Sequence, residues 1–230
     1  DQESGFALIQ SLGTLNTIPL ALGKSSDAKI GENVILAGSG GLDDSIKSYI
    51  TEKKEFAGYW EYLINEAIFT APPHPFWGGA GLISRHGELL GIASLFVQQS
   101  KSGDVTYDGN MIVPIDLLPP ILDDLLKFGS INKTPRPWIG TIMSENYNSL
   151  KVAAVIPGSP SEKAGLKAGD KVRYVNGNLT NTLSLFLRQL WSTGDAGVDV
   201  NISVVRDHQI IELKVRSADR NSYLLKPNVH

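Results

Sequence analysis

Short apolar runs separated by glycine, proline and polar residues set the rhythm of this 230-residue chain. In its first half the runs Phe6–Gln10, Asn33–Ala37, Ser45–Thr51, Tyr62–Phe69, Gly79–Ile83, Leu89–Val97 and Asn110–Pro114 are each of strand length, with turn residues between them. Strands of this size and spacing predict an antiparallel barrel or sandwich. The period then changes. Apolar residues at 117, 118, 121, 122, 125 and 126 form a helical stripe, Pro119 and Pro120 suit the first turn of that helix, and Gly129 suits its C-terminal stop. The polar, proline-containing stretch 130–137 predicts a linker.

Beyond it a second unit begins. Trp138–Met143, Lys151–Ile156, Lys171–Val175, Asp199–Arg206 and Gln209–Val215 are expected as strands, and Ser161–Ala164 and Thr182–Thr193 as helices, with Ser161 as a cap. The tail is polar, with Tyr223, Leu224 and Leu225 as a small apolar anchor. The expected fold class is therefore mainly β.

Composition narrows the function classes. Hydrophobic residues at 42% and charged residues at 20% are ordinary for a globular protein, and a net charge of −3 gives no general attraction to nucleic acid. No apolar run reaches the roughly 18 residues that span a bilayer. With no cysteine, the chain has neither disulfides nor thiolate chemistry. Gly38-Ser39-Gly40-Gly41 lacks the lysine of a phosphate-binding loop, and the oxygen-rich stretch Asp104–Asn110 lacks the spacing of a calcium loop. No cofactor and no metal are expected.

Motifs say more. Pro157-Gly158-Ser159-Pro160-Ser161-Glu162-Lys163-Ala164-Gly165-Leu166-Lys167-Ala168-Gly169-Asp170 is followed by Lys171–Val175 and an Asn176-Gly177 turn. This resembles, almost position for position, the helix, turn and strand of a PDZ domain. Such domains add an extended C-terminal peptide to an exposed sheet edge and hold its carboxylate on backbone N–H groups. By that resemblance the carboxylate loop and peptide-binding strand are Trp138, Ile139, Gly140, Thr141 and Ile142, with Leu183 and Leu187 on the facing helix. Trp138 and Ile139 read equally as hydrophobes at a strand start, and Phe186, Leu190 and Trp191 as domain core.

The first unit is similar to part of an HtrA-type, trypsin-like serine protease. Pro75-Phe76-Trp77-Gly78-Gly79-Ala80-Gly81-Leu82, with Gly87-Glu88-Leu89-Leu90-Gly91-Ile92 behind it, resembles that family's nucleophile segment. The overlay places Gly78, or with one inserted residue Trp77, where the family has serine. Gly5-Phe6-Ala7-Leu8-Ile9-Gln10 resembles the strand that carries the catalytic aspartate, and Gly5 stands in its place. Neither glycine nor tryptophan can attack a carbonyl. The histidine of such a protease belongs to a first barrel, which by resemblance would precede residue 1.

His74 is the one histidine near the nucleophile turn, and it reads either as a structural loop residue or as an anion or metal ligand. The Trp77-Gly78-Gly79-Ala80 backbone reads either as a tight turn filled by Trp77 or as an oxyanion hole. His86 and His208 are expected in hairpin turns.

The expected architecture is a trypsin-like second barrel with its helix over 1–129, a linker over 130–137, a PDZ domain over 138–217 and a tail over 218–230. The resemblance implies a degenerate protease that binds extended peptides or protein C-termini in the periplasm or cell envelope. Its partners would be the peptide and an upstream barrel or other protein chains in an oligomer. Two alternatives stand beside it. One is an active peptidase using Ser84 or Ser94. The other is a scaffold whose groove is closed by the chain's own Lys226–His230.

Overall fold

Val34 and Leu36 turn inward from a strand whose alternate side chains face solvent, and the strands around it repeat this alternation. β1 (Asn33–Ala37), β2 (Ser45–Gly58), β3 (Tyr62–Ala71), β4 (Gly81–Ile83), β5 (Leu89–Lys101) and β6 (Val105–Pro114) close in the order β1-β2-β3-β6-β5-β4. Closure leaves no free edge to aggregate. The barrel interior holds Val34, Leu36, Ile50, Ile68, Leu82 and Ile112. Each contributes about 1.5–3 kcal/mol by leaving water.

The computed structural model describes residues 1–101, 105–147 and 149–224, and the chain divides into two units. The first comprises Asp1–Phe56 with Ile64–Asn132, and the second Ala57–Leu63 with Lys133–His230. The tip of the β2–β3 hairpin thus belongs to the second unit.

In the first unit α1 (Pro119–Phe128) carries proline at its first positions and stops at Gly129, whose φ of 69° allows its N–H to reach the Leu125 carbonyl. The expected stripe is only partly used, since Leu117 and Leu126 are exposed. The expected strand Phe6–Gln10 does not form. A strand needs a neighbour for its ladder, and among the described residues none pairs with this segment. Ile9, Leu12 and Ile18 stand in solvent.

The second unit is a sheet of β7 (Thr141–Asn146), β8 (Ser149–Val155), β9 (Lys171–Val175), β10 (Asn178–Leu179), β11 (Asp199–Arg206) and β12 (Gln209–Arg216). Its order is β12-β11-β9-β8-β7, with β10 paired to β9. Left-handed Asn176 and Gly177, and Asp207 and His208, turn the two tight hairpins. α2 (Pro160–Lys163) is capped by Ser159, not Ser161: Ser159 Oγ accepts from the Glu162 N–H, and the Glu162 carboxylate accepts from the Gly158 N–H at 2.7 Å. Ser161 is instead buried, its N–H donating to the Ile139 carbonyl. α3 (Leu183–Trp191) starts at Thr182, whose Oγ1 accepts from the Leu185 N–H.

The strand expected from Trp138 begins only at Thr141. Residues 138–140 are tied elsewhere, Trp138 by two backbone bonds to Ala218 and by its ring against Tyr223, 4.7 Å between centroids.

One ion pair holds the far side of this unit. Asp170, 1% exposed, accepts from Arg206 Nε and Nη2 at 2.6 and 2.7 Å and from the Lys167 N–H at 2.8 Å. Burial works to raise the Asp170 carboxyl, but the Arg206 guanidinium and the Lys167 N–H overcome it and hold it below the usual carboxylate range. Arg206→Ala leaves that charge buried and unpaired, and is expected to cost the second unit about 3 kcal/mol near neutral pH. Because the folded state prefers the ionised acid, the cost should shrink below about pH 4. Urea denaturation of both proteins across pH checks it.

Candidate functional site

Two places in the fold carry chemistry, one in each unit. In the first, the chain turns sharply at Phe76–Ala80 beside a cavity of about 410 Å³ lined by Ala37, Gly38, Ser39, Phe76, Gly78, Gly79 and Ala80. Gly79, at φ 86°, permits the turn. Three of its N–H groups are spent on the chain itself: Gly79 donates to Ala93, Ala80 to Trp77 and Phe76 to His74 Nδ1, each at 3.0 Å. Trp77, half-buried, packs on the barrel core.

His74 is 1% exposed and lies beneath the cavity, where a Cβ on Gly38 would stand 3.1 Å from its Cε1. With Nδ1 accepting from Phe76, Nε2 carries the proton and donates to the Asp44 carbonyl. The His74 N–H itself donates to Asn110 Oδ1 at 2.7 Å. Both ring nitrogens are therefore engaged in pinning the loop.

The one hydroxyl among the residues lining the cavity is Ser39, which the sequence reading passed over within a glycine-rich loop. Ser84 Oγ accepts from the N–H groups of His86 and Glu88 in the β4–β5 turn, and Ser94 sits at a bulge of β5. Gly5 is exposed at φ 81°, in a turn that donates to the Asp1 carbonyl. His74→Ala is expected to cost the first unit about 3 kcal/mol, because it removes a fully buried side chain together with its hydrogen bonds to the Phe76 N–H and the Asp44 carbonyl. Urea unfolding of the two proteins checks this.

The second site forms at the start of β7. Gly140 takes φ 80°, and a Cβ there would lie 2.4 Å from Ser159 Cβ, so glycine is required twice over. In this conformation the N–H groups of Gly140 and Thr141 converge on one acceptor, Glu61 Oε1, at 3.0 and 3.3 Å. Two residues along, the Met143 N–H donates to the Tyr59 carbonyl at 3.3 Å. The hairpin tip Ala57–Leu63 thus lies along β7, places a carboxyl in the loop and packs Leu63 against the domain core.

Glu61 is 8% exposed and takes a left-handed backbone, φ 61°, that few residues other than glycine adopt. Burial pushes its carboxyl up to about 7, against the pull of the Thr141 and Gly140 N–H groups and the Arg220 guanidinium. Arg220, in the turn Arg220–Tyr223, also donates to the Trp60 carbonyl at 3.0 Å. Trp60 stacks on Tyr62 with ring centroids 5.6 Å apart.

Sequence reasoning missed Glu61. Its signal was an acidic residue flanked by Tyr59, Trp60 and Tyr62 at a hairpin tip.

The seven residues proposed from sequence for the peptide groove separate into distinct roles. Gly140 and Thr141 supply the converging N–H groups, and Ile142 is half-buried on β7. Ile139, Leu183 and Leu187 lie wholly in the core with Phe186 and Leu190 and present no open groove wall. Trp138 is a structural residue clamped to Ala218 and Tyr223. The occupant of the loop is the hairpin tip. The alternative occupant, Lys226–His230, lies outside the described residues.

A glycine loop, the β7 strand that follows it and a short helix after Pro157 stand where the sequence motif placed them, and the sequence matches the PDZ domain family over residues 137–216. The chain as a whole is homologous to HtrA-type serine proteases. It is 26% identical over 226 residues to the periplasmic pH-dependent serine endoprotease DegQ of Escherichia coli, covering 94% of this chain and 49% of DegQ. It is 29% identical over 201 residues to a probable periplasmic DegP-like serine endoprotease of Hahella chejuensis, covering 81% of this chain and 41% of that protein.

The chain thus spans about half the length of the curated relatives it matches. Among solved structures it resembles the HtrA-type protease AlgW with decapeptide, at TM-score 0.54 and 20% identity, over 90% of this chain and 66% of AlgW. That likeness supports the fold.

Proposed function

We propose that this chain is a non-catalytic HtrA-like protein that binds extended peptides or protein C-termini through its PDZ domain, in the periplasm or cell envelope. One observation carries the reading. The N–H groups of Gly140 and Thr141 hold a single carboxyl oxygen while the neighbouring β7 backbone pairs with the segment that bears it. A C-terminal peptide presents the same two features, a terminal carboxylate and an extended backbone.

The non-catalytic half rests on the first unit. No hydroxyl occurs between Phe76 and Leu82, and both nitrogens of His74 are engaged in holding its loop. Attack on a peptide bond needs a nucleophile with a base in reach. The periplasmic relatives support the location. Exposed Leu12, Leu15 and Ile18 offer the apolar surface on which other chains of an oligomer would pack.

The test compares fluorescein-labelled decapeptides carrying a free C-terminal carboxylate with the same peptides amidated. The free acids should bind roughly 10- to 100-fold tighter, the value of a charge-assisted hydrogen bond. Equal binding of acid and amide would remove the carboxylate reading. A fluorophosphonate probe should label no serine, and a labelled Ser39, Ser84 or Ser94 would make the chain a peptidase.

A further inference from the structure

We propose that the hairpin tip Tyr59-Trp60-Glu61-Tyr62 is an internal ligand of the PDZ groove, and that a C-terminal peptide must displace the Glu61 carboxyl from the Gly140–Thr141 loop in order to bind. This rests on the peptide-binding reading above and goes beyond it, because it states what keeps the groove closed and what opens it.

The tip reproduces the recognition elements of a peptide terminus. Its carboxyl occupies the point where the Gly140 and Thr141 N–H groups converge, its backbone accepts from Met143 on β7, and its Leu63 packs against the domain core. Two carboxylates cannot share that point, so tip and peptide exclude one another.

The mimicry is incomplete. Glu61 pays for its placement with a left-handed φ of 61°. Thr141 Oγ1, on a residue 2% exposed, is buried without a partner, a polar group that the tip leaves unused. An occupant that is bonded yet strained is suited to displacement.

The charge on Glu61 sets the condition. Arg220 is the charged group that acts on it. The loop packed against it contributes the backbone N–H groups of Ile139, Gly140 and Thr141, and its own hairpin carries Tyr59 and Tyr62. Docked, the carboxyl is raised to about 7 by burial, whereas a solvated glutamate titrates near 4.5. Docking therefore takes up a proton between those values. The tip should hold most tightly at and below about pH 4.5, loosen up to tenfold per unit as pH rises toward 7, and stay constant above it. Peptide affinity should run the opposite way.

The experiment uses the full chain and a pool of fluorescein-labelled decapeptides with random internal residues and a free C-terminal Val, Leu, Ile or Phe. Wild type should bind the pool roughly 10- to 30-fold more tightly at about pH 8 than at about pH 5.5. Glu61→Ala should bind tightly at both values. Glu61→Gln, whose neutral amide oxygen still accepts from both N–H groups, should bind weakly at both. Equal affinity of wild type and Glu61→Ala at the lower pH overturns the competition.

Hydrogen exchange at the Gly140 and Thr141 amides gives a readout that needs no peptide. Protection should be high in wild type and Glu61→Gln and lost in Glu61→Ala. Equal exchange in wild type and Glu61→Ala refutes occupancy of the loop. If exchange responds to Glu61→Ala but no variant binds the pool at either pH, the peptide-binding reading fails, and the competition with it.

Discussion

A pair of backbone N–H groups that cannot go unpaired governs the second unit. Gly140 must adopt φ 80° to let the chain pass Ser159, and that conformation aims its own N–H and the Thr141 N–H at one point. Buried donors without acceptors cost about 1–3 kcal/mol each. The loop therefore holds an acceptor in every state it occupies, and whether that acceptor comes from within the chain or from another molecule decides what the protein does. In this structure it is Glu61.

The same constraint explains the state of Glu61. A carboxylate placed beneath the hairpin tip loses water, and two N–H groups with the Arg220 guanidinium repay only part of that loss. The neutral acid is the form that burial favours, so the site joins groove occupancy to proton concentration. The first unit uses its polar groups differently. There Asn110 accepts from the His74 N–H and His74 from the Phe76 N–H, while Gly79 and Ala80 donate to carbonyls of the same unit. A cavity remains beside the turn, but the imidazole beneath it acts as a brace.

Much of this was legible in the residues. The helix stop at Gly129, the strands Lys171–Val175 and Asp199–Arg206 and the left-handed turns at Asn176-Gly177 and Asp207-His208 follow from local chemistry that tertiary context did not override. Two errors were of the opposite kind. Phe6–Gln10 has strand composition, but a strand exists only with a partner. Ser161 has the chemistry of a cap, yet Ser159 lies one residue before Pro160, where the helix can start. The role of Glu61 was not legible, because an acid among aromatic residues at a hairpin tip names no partner. Its role is set by residues about eighty positions away in sequence, at 140 and 141, and no local pattern reports a contact at that separation.

The most direct measurement of the central claim is nuclear magnetic resonance on the full chain, with carbon-13 in the glutamate carboxyls and nitrogen-15 in the backbone. The account predicts scalar coupling across hydrogen bonds from the Gly140 and Thr141 nitrogens to the Glu61 carboxyl carbon, and a titration midpoint for that carbon near 7. A Glu61 signal that titrates close to 4.5 with no coupling to either amide would show the loop to be empty of its own chain, and would contradict the account.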